Sequence, residues 1–208
     1  TRGVTPPIDV PIYVKVEWYG ATGSLKDRIY LHMFERAEAR GDLKPGMRVL
    51  ECSTGNAGIA CAWVSAVKGY PCTIVMPQGM SEERKKIMRA YGATLVFTPG
   101  GESDVDLSLA RLGEIRAAEP GRYWVPGQFD NPDNVEAHTL STGPELYGKR
   151  LELLREATPA LSRVAIVWNP GNEVARLTLR HIEPAAKALG VQVEVFEARD
   201  ARGIERAF

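Results

Sequence analysis

The chain has 208 residues, 44% of them hydrophobic and 25% charged, with Lys plus Arg balanced against Asp plus Glu at 26 each. That is the profile of a globular protein with a sizeable core, large enough for one large domain or two small ones. The balance supplies no sequence-wide charge for nucleic acid or a membrane surface, and no stretch approaches the ~20 apolar residues of a membrane span. Cys52, Cys61 and Cys72 are odd in number and lack C-x-x-C spacing, so they read as buried thiols in a reducing, cytoplasmic setting, with neither a disulfide framework nor a metal site. With Thr1 in place of an initiator Met and Phe208 inside a helical pattern, the sequence reads as a fragment.

Strands and helices alternate along the chain, which predicts an α/β fold: a parallel sheet covered by helices. Residues Ile12 to Trp18 alternate apolar and polar as a strand. Leu25 to Arg40 follows as a helix with Ile29, Met33 and Ala37 on one face, ended by Gly41. Val49 to Cys52 is a short strand. Asn56 to Lys68 is apolar nearly all round and predicts a buried helix. Cys72 to Met76 is a strand without alternation, as in a buried parallel sheet. Ser81 caps the next helix, which starts acidic at Glu82 and Glu83 and turns basic at Lys85, Lys86 and Arg89, read as a solvated face; Gly92 closes it. Thr94 to Thr98, Asp104 to Ala118 and Tyr123 to Val125 continue the alternation. A turn and helix begin at Asn131. Gly143-Pro144 and Gly148 mark a seam between Thr142 and Lys149, followed by a helix over Lys149 to Ala157. A strand over Val164 to Trp168, a helix over Val174 to Leu189 with Val174, Leu177, Ile182, Ala185 and Leu189 inward, and a strand over Val191 to Phe196 complete the pattern.

Three constellations carry chemistry. Thr22-Gly23-Ser24-Leu25-Lys26-Asp27-Arg28 lies between a strand and a helix, with Ser24 or Thr22 available as cap. A cation in a first turn is disfavoured by ~0.3–1 kcal/mol when exposed. Lys26 is therefore either a solvated surface lysine or a lysine kept for covalent use, where a lowered pKa helps its amine form an imine. Ser53-Thr54-Gly55-Asn56-Ala57-Gly58 opens the buried helix. It has the N–H groups, hydroxyls and amide to receive a carboxylate or a cofactor oxygen, and it lacks the endings of nucleotide loops. Taken alone it is equally an ordinary glycine-rich turn. Gln128-Phe129-Asp130-Asn131-Pro132 offers Gln128 as an amide donor, and by itself reads as a simple loop. Asp27 and Glu51 read as partners in local salt bridges, His138 as structural, and His32 and His181 as surface or core histidines.

In their order and spacing these segments, with Met76-Pro77-Gln78-Gly79-Met80-Ser81-Glu82-Glu83-Arg84 and Tyr91-Gly92-Ala93, resemble the cysteine synthase (O-acetylserine sulfhydrylase) and cystathionine β-synthase family of pyridoxal phosphate (PLP) enzymes, over about residues 5–145. The resemblance implies a tryptophan-synthase-β-like (PLP fold type II) architecture and PLP-dependent β-replacement on an activated serine to make cysteine. It implies Lys26 as the catalytic lysine that holds PLP, and Asn56 on the cofactor's ring hydroxyl. Ser53, Thr54, Gly55 and Gln128 would receive the carboxylate of an amino-acid substrate. Ala57 stands where the family usually has Thr. A homodimer is the family's usual state.

The resemblance implies a Gly-Thr-Gly-Gly-Thr phosphate loop after the strand at Val164, but Asn169-Pro170-Gly171-Asn172-Glu173 stands there. Pro170 lacks an N–H, and Glu173 is acidic where phosphate would lie. Residues 144–208 resemble instead part of a periplasmic substrate-binding protein of an ABC transporter. The expected organisation is thus residues 1–145 as a PLP-enzyme-like domain and 146–208 as an α/β tail, either added to the same sheet or left as a half-lobe. Two other readings stay open: a non-enzymatic amino-acid-binding module and an inactive hybrid fragment.

Overall fold

The computed structural model describes residues 15–101, 103–171 and 173–199 together with Gly203. Four strands, β1 (Arg48–Cys52), β2 (Cys72–Pro77), β3 (Thr94–Thr98) and β4 (Tyr123–Trp124), form one parallel sheet in the order β3-β2-β1-β4. All six residues of β2 and four of the five in β1 are buried, so the two central strands are covered on both faces and need no alternation. Helices α1 (Lys26–Arg40) and α2 (Asn56–Lys68) cover one face, where Ile29, Met33 and Phe34 meet Ile59, Val64, Ile74 and Met76. Helix α4 (Val105–Ala118) covers the other, with Leu112 against Leu50 and Val75. Helix α3 (Glu82–Ala90) joins β2 to β3.

Helix α1 shows how one sequence serves two surfaces. Tyr30, Met33, Phe34 and Ala37 are fully buried in the core. Arg28, His32, Arg36 and Arg40 recur every fourth residue along another face. That face meets carboxylates of α5 (Pro132–Leu140) and α6 (Thr142–Ala157): Arg40 with Asp133 in a two-pronged pair at 2.9 and 2.7 Å, His32 and Arg36 with Glu136 at 2.8 and 3.0 Å, and Arg28 with Glu145 at 2.6 Å.

Beyond α6, strands β5 (Arg163–Trp168) and β6 (Gln192–Glu197) pair in parallel around α7 (Glu173–Leu189), which packs on α6. Among the described residues they pair with each other as a separate two-stranded sheet and do not extend the four-stranded one. Of the inward positions expected on α7, Ile182 is buried, as is its neighbour Ala186, whereas the side chains of Val174 and Leu177 lie outside the described residues.

Three expectations are corrected. Lys15 to Trp18 join no strand; Trp18 is 67% exposed, so its place in the apolar alternation marks no buried face (Ile12 to Val14 lie outside the described residues). The turn-like punctuation expected at Thr142 to Lys149 falls within a helix, α6. Pro144 falls in its first turn, where a missing N–H breaks no intrahelical bond. Lys85 is not on a solvated face: it is 5% exposed, and its Nζ donates to the Gln78 carbonyl at 2.6 Å and to Glu82 at 2.7 Å.

One carboxylate lies inside the core. Glu51 of β1 is 3% exposed; the Tyr30 hydroxyl donates to its Oε2 at 3.0 Å and the Cys52 N–H to its Oε1 at 2.8 Å. Burial pushes its pKa from 4.5 up to about 7, against the opposing pull of bonds from the Cys52 N–H, Tyr30 and the Gly127 backbone. Burial also raises the pKa of Tyr30, Cys52 and Cys61 above their ordinary values, so around neutrality it is Glu51 that titrates here.

Two outcomes follow for stability. Phe34 is fully buried with its ring edge-on to Trp124, centroids 4.8 Å apart; Phe34→Ala is expected to cost about 3–5 kcal/mol, seen as a lower urea midpoint at unchanged slope. Because the native state binds the Glu51 proton more tightly than the unfolded chain does, Glu51 contributes stability below about pH 4.5 that is lost as pH rises to about 7. Glu51→Gln does not titrate, so the variant's unfolding free energy from urea denaturation should gain on the parent's across that window, by on the order of 3 kcal/mol in total.

Candidate active site at the carboxyl edge of the sheet

Parallel strands deliver all their carboxyl ends to one edge, and the loops there are built by internal hydrogen bonds. At the start of α1 the Asp27 carboxylate accepts from the Thr22 N–H at 2.8 Å and from the Thr22 hydroxyl. Gly20 lies so close that a Cβ on it would come within 2.6 Å of Asp27 Oδ2. Ser24 Oγ accepts from the Lys26 N–H at 3.2 Å. Of the two expected caps, Ser24 thus serves the first turn while Thr22 is hooked onto Asp27, whose partner is this turn rather than a cation. The result is a fixed turn that sets Lys26, half-buried, at the first position of α1.

Two neighbours bear on that lysine. His138 of α5 has its pKa lowered, first by burial and then by the positive charges of Lys26 and Arg28, which keeps its imidazole neutral at neutral pH. Its Nδ1 is 3.2 Å from Thr142 Oγ1. By sequence His138 has only a structural role; no local spacing signals that it feels the charge of Lys26, because α1 and α5 lie far apart along the chain. Arg28 grips Glu145 with both Nη atoms, at 2.6 and 3.1 Å, and reaches Glu17 through Nε at 3.1 Å, while Lys15 reaches Glu145 at 2.8 Å. This network ties α1 to the start of α6 two residues after Lys26.

The turn between β1 and α2 is held from within. Ser53 is 7% exposed, and its Oγ accepts from the Gly58 N–H at 2.8 Å and from the Gly55 N–H at 3.3 Å. Its hydroxyl hydrogen stays available to donate, but the oxygen's first task is to staple the turn. A Cβ on Gly58 would lie 2.8 Å from Met88 Cε and 3.2 Å from Ser53 Cβ, so glycine lets the helix close on the loop. Thr54 and Gly55 are half-buried, and Asn56 is exposed at the head of α2. Arg84 of α3 donates through Nη1 to the Thr54 carbonyl at 3.2 Å. Thr22, Asn56, Ile59, Met80, Ser81 and Arg84 line a cleft of about 490 Å³. Asn56 is thus in the cleft wall, with Thr22 bringing the lysine-bearing turn to it. Lys26, Ser53, Thr54, Gly55 and Gln128 do not line it. Arg84 was not singled out as a site residue in the sequence; its place in a basic helix run concealed it.

The Gln128 loop is equally braced. Asn131 caps α5 by accepting from the Asp133 N–H at 2.9 Å and donates to the Pro126 carbonyl at 2.9 Å, while Asn134 donates to the Gln128 carbonyl at 2.7 Å. Gln128 is 8% exposed and the adjacent Phe129 is 80% exposed. Glu51 lies beneath all of this. Its partners are hydroxyl and backbone donors rather than a cation, and the signal that could have marked it was a carboxylate inside the apolar run Val49-Leu50-Glu51-Cys52.

The donor set fits one half of a PLP molecule. A primary amine, an amide at a helix head and hydroxyls at one sheet edge suit an aldehyde and a ring oxygen. Among the described residues of the turn after β5, backbone donors for a phosphate are few. Asn169 Oδ1 accepts from the Gly171 N–H at 2.9 Å, so this donor is spent on the turn itself, and Pro170 has none to offer.

Comparison with known proteins bears on this site. The family model described as pyridoxal-phosphate dependent enzyme matches residues 2–195. The chain is 45% identical to a cysteine synthase of Staphylococcus aureus over 145 residues, 70% of this chain and 46% of that protein. It is 46% identical to a cysteine synthase of a Flavobacterium species over 189 residues, 90% of this chain and 59% of that protein. Among solved structures, cysteine synthase from Entamoeba histolytica superposes with a TM-score of 0.60 at 31% identity, covering 88% of this chain and 50% of that one. The chain therefore spans about half the length of the relatives it matches. Its α/β architecture is that of the PLP fold type II cysteine synthases. Among the described residues no helix is long and apolar enough to cross a membrane. Matched by one family model from residue 2 to residue 195, with a lysine, an amide and hydroxyls gathered at one sheet edge, the chain belongs to the pyridoxal-phosphate dependent enzymes.

Proposed function

We propose that the chain bears the lysine and carboxylate-binding loops of a cysteine synthase-like enzyme that carries out β-replacement on an activated serine. The net exchange is Cβ–O for Cβ–S, with a carboxylate such as acetate leaving and sulfide entering. The observation that carries this reading is the place of Lys26: half-buried at the first turn of α1, on a turn fixed by Asp27 and adjoining the cleft that Asn56 lines. The relatives named cysteine synthase support the reaction class.

In this reading Lys26 Nζ holds the cofactor and takes and returns a proton. Asn56 orients the cofactor's ring oxygen. Thr54, the Gly55 backbone, the Ser53 hydroxyl hydrogen and the Gln128 amide receive the carboxylate of the amino-acid substrate. A neutral His138 adds no second positive charge beside Lys26. When bound, pyridoxal phosphate supplies the electron sink. Among the described residues 169–171 the turn supplies few donors for phosphate, and each lost charge-assisted bond is worth about 1.5–3 kcal/mol, so we take this chain's hold on the cofactor to be weak.

We divide the chain at residue 145, which puts the boundary inside α6, and take the working protein as a cytoplasmic homodimer on the strength of family resemblance. The likeness of residues 144–208 to a transporter's substrate-binding protein rests on the sequence alone. The family match running on to residue 195 favours the tail as part of the enzyme.

Adding PLP to the purified chain is expected to give a visible Schiff-base band, and Lys26→Ala is expected to abolish it. A Lys26→Ala band equal to the parent's would sink the lysine assignment. Asn56→Ala should keep the band but require about tenfold more PLP to reach half its height, as befits one lost hydrogen bond.

A further inference from the structure

We infer that Glu51 is a positioning residue: one buried carboxylate clamps together the three segments that bear the candidate active-site residues. Donors converge on it from three places in the chain. The Tyr30 hydroxyl, at 3.0 Å, comes from α1 about one helical turn beyond Lys26. The Cys52 N–H, at 2.8 Å, belongs to the residue before Ser53. The backbone of Gly127, the residue before Gln128, adds a smaller pull toward the charged form. A carboxylate has about four acceptor sites on its two oxygens and can serve three donors at once; an apolar side chain of the same size serves none. At 3% exposure bulk solvent does not reach it, so removing it takes the partner from the Tyr30 hydroxyl and the Cys52 N–H inside the core. Within itself each segment is held by local bonds: the lysine-bearing turn is hooked by Asp27, the Ser53 turn by Ser53 Oγ, and the Gln128 loop by Asn131 and Asn134. Ion pairs join α1 to α5 and α6 at the surface, and Glu51 ties the same segments to one point inside the core.

The inference goes beyond the proposed function and rests on it only in regarding these segments as one active site, so its test starts on the full chain without PLP. Amide hydrogen exchange is compared in the parent, Glu51→Ala, Glu51→Gln and Tyr30→Phe. In Glu51→Ala, amides of the first turn of α1, of residues 53–56 and of residues 127–128 should exchange about tenfold faster, while β2, β3 and α4 keep the parent's protection. Glu51→Gln should restore most of the protection, since its oxygen can accept from Cys52 and its amide can donate to the Tyr30 oxygen. Parent-like exchange at the three segments in Glu51→Ala, or a uniform acceleration across the fold, overturns the clamp. If Glu51→Ala does not fold, Tyr30→Phe decides: faster exchange at residues 53–56 and 127–128, remote from the lost hydroxyl, supports the clamp, and parent-like exchange there overturns it. In a parallel titration Glu51→Ala should need about tenfold more PLP than the parent for half its visible band, with Glu51→Gln close to the parent; an unchanged Glu51→Ala titration also counts against the clamp. A parent that gives no band with PLP defeats the proposed function and leaves the exchange data to judge Glu51.

Discussion

Strand β1 is covered on both faces along four of its five residues, and each candidate ligand-binding segment is referred to its carboxyl end. Its neighbours β2 and β4 run parallel to it, so they too deliver their following loops to that edge. The helix that follows β1 must start there, which gives the Ser53 turn its place. The helix that carries Lys26 packs on the same core through Tyr30, Met33 and Phe34. An apolar strand is ordinarily the least chemical part of a protein. Here it carries one carboxylate, and that exception lets a packing element also set the spacing of polar loops.

The electrostatics divide along α1. Its inward face is apolar and supplies stability by burial. Its Arg28, His32, Arg36 and Arg40 face meets α5 and α6 through pairs that are largely at the surface, where each is worth about 0–1 kcal/mol. Their value is directional: four basic side chains in register fix the rotation of α1 about its axis, and with it the direction in which Lys26 leaves the helix. The same face brings His138 toward Lys26 and joins α1 to the helix that leads into the β5–β6 pair.

Where sequence and structure agree, the signal was local. Asn56 to Lys68 reads as a buried helix because few of its residues are polar, and the structure gives those bounds. The strand at Cys72 reads as central because it lacks alternation, and it is buried throughout. Where they part, the deciding contact was distant. Gly143-Pro144 looks like punctuation until the first turn of a helix makes the missing N–H harmless. Lys15 to Trp18 look like the end of an alternating strand until Trp18 is found in solvent. The separate pairing of β5 and β6 depends on strand order, which no window of residues contains. Thr54, Asn56 and Lys26 were legible as motif members. Arg84, His138 and the work of Glu51 were not, since each depends on a partner tens of residues away.

The pairs that orient α1 join residues 93, 104 and 117 positions apart along the chain. Loop closure over such spans is entropically costly, and contacts of this range slow folding relative to local ones. Helix α1 meets the partners of its polar face only after more than ninety further residues have followed it. The lysine-bearing helix is thus oriented in part by contacts that cost chain entropy to close, so the ligand-binding edge depends on the whole span from α1 to α6 being in place.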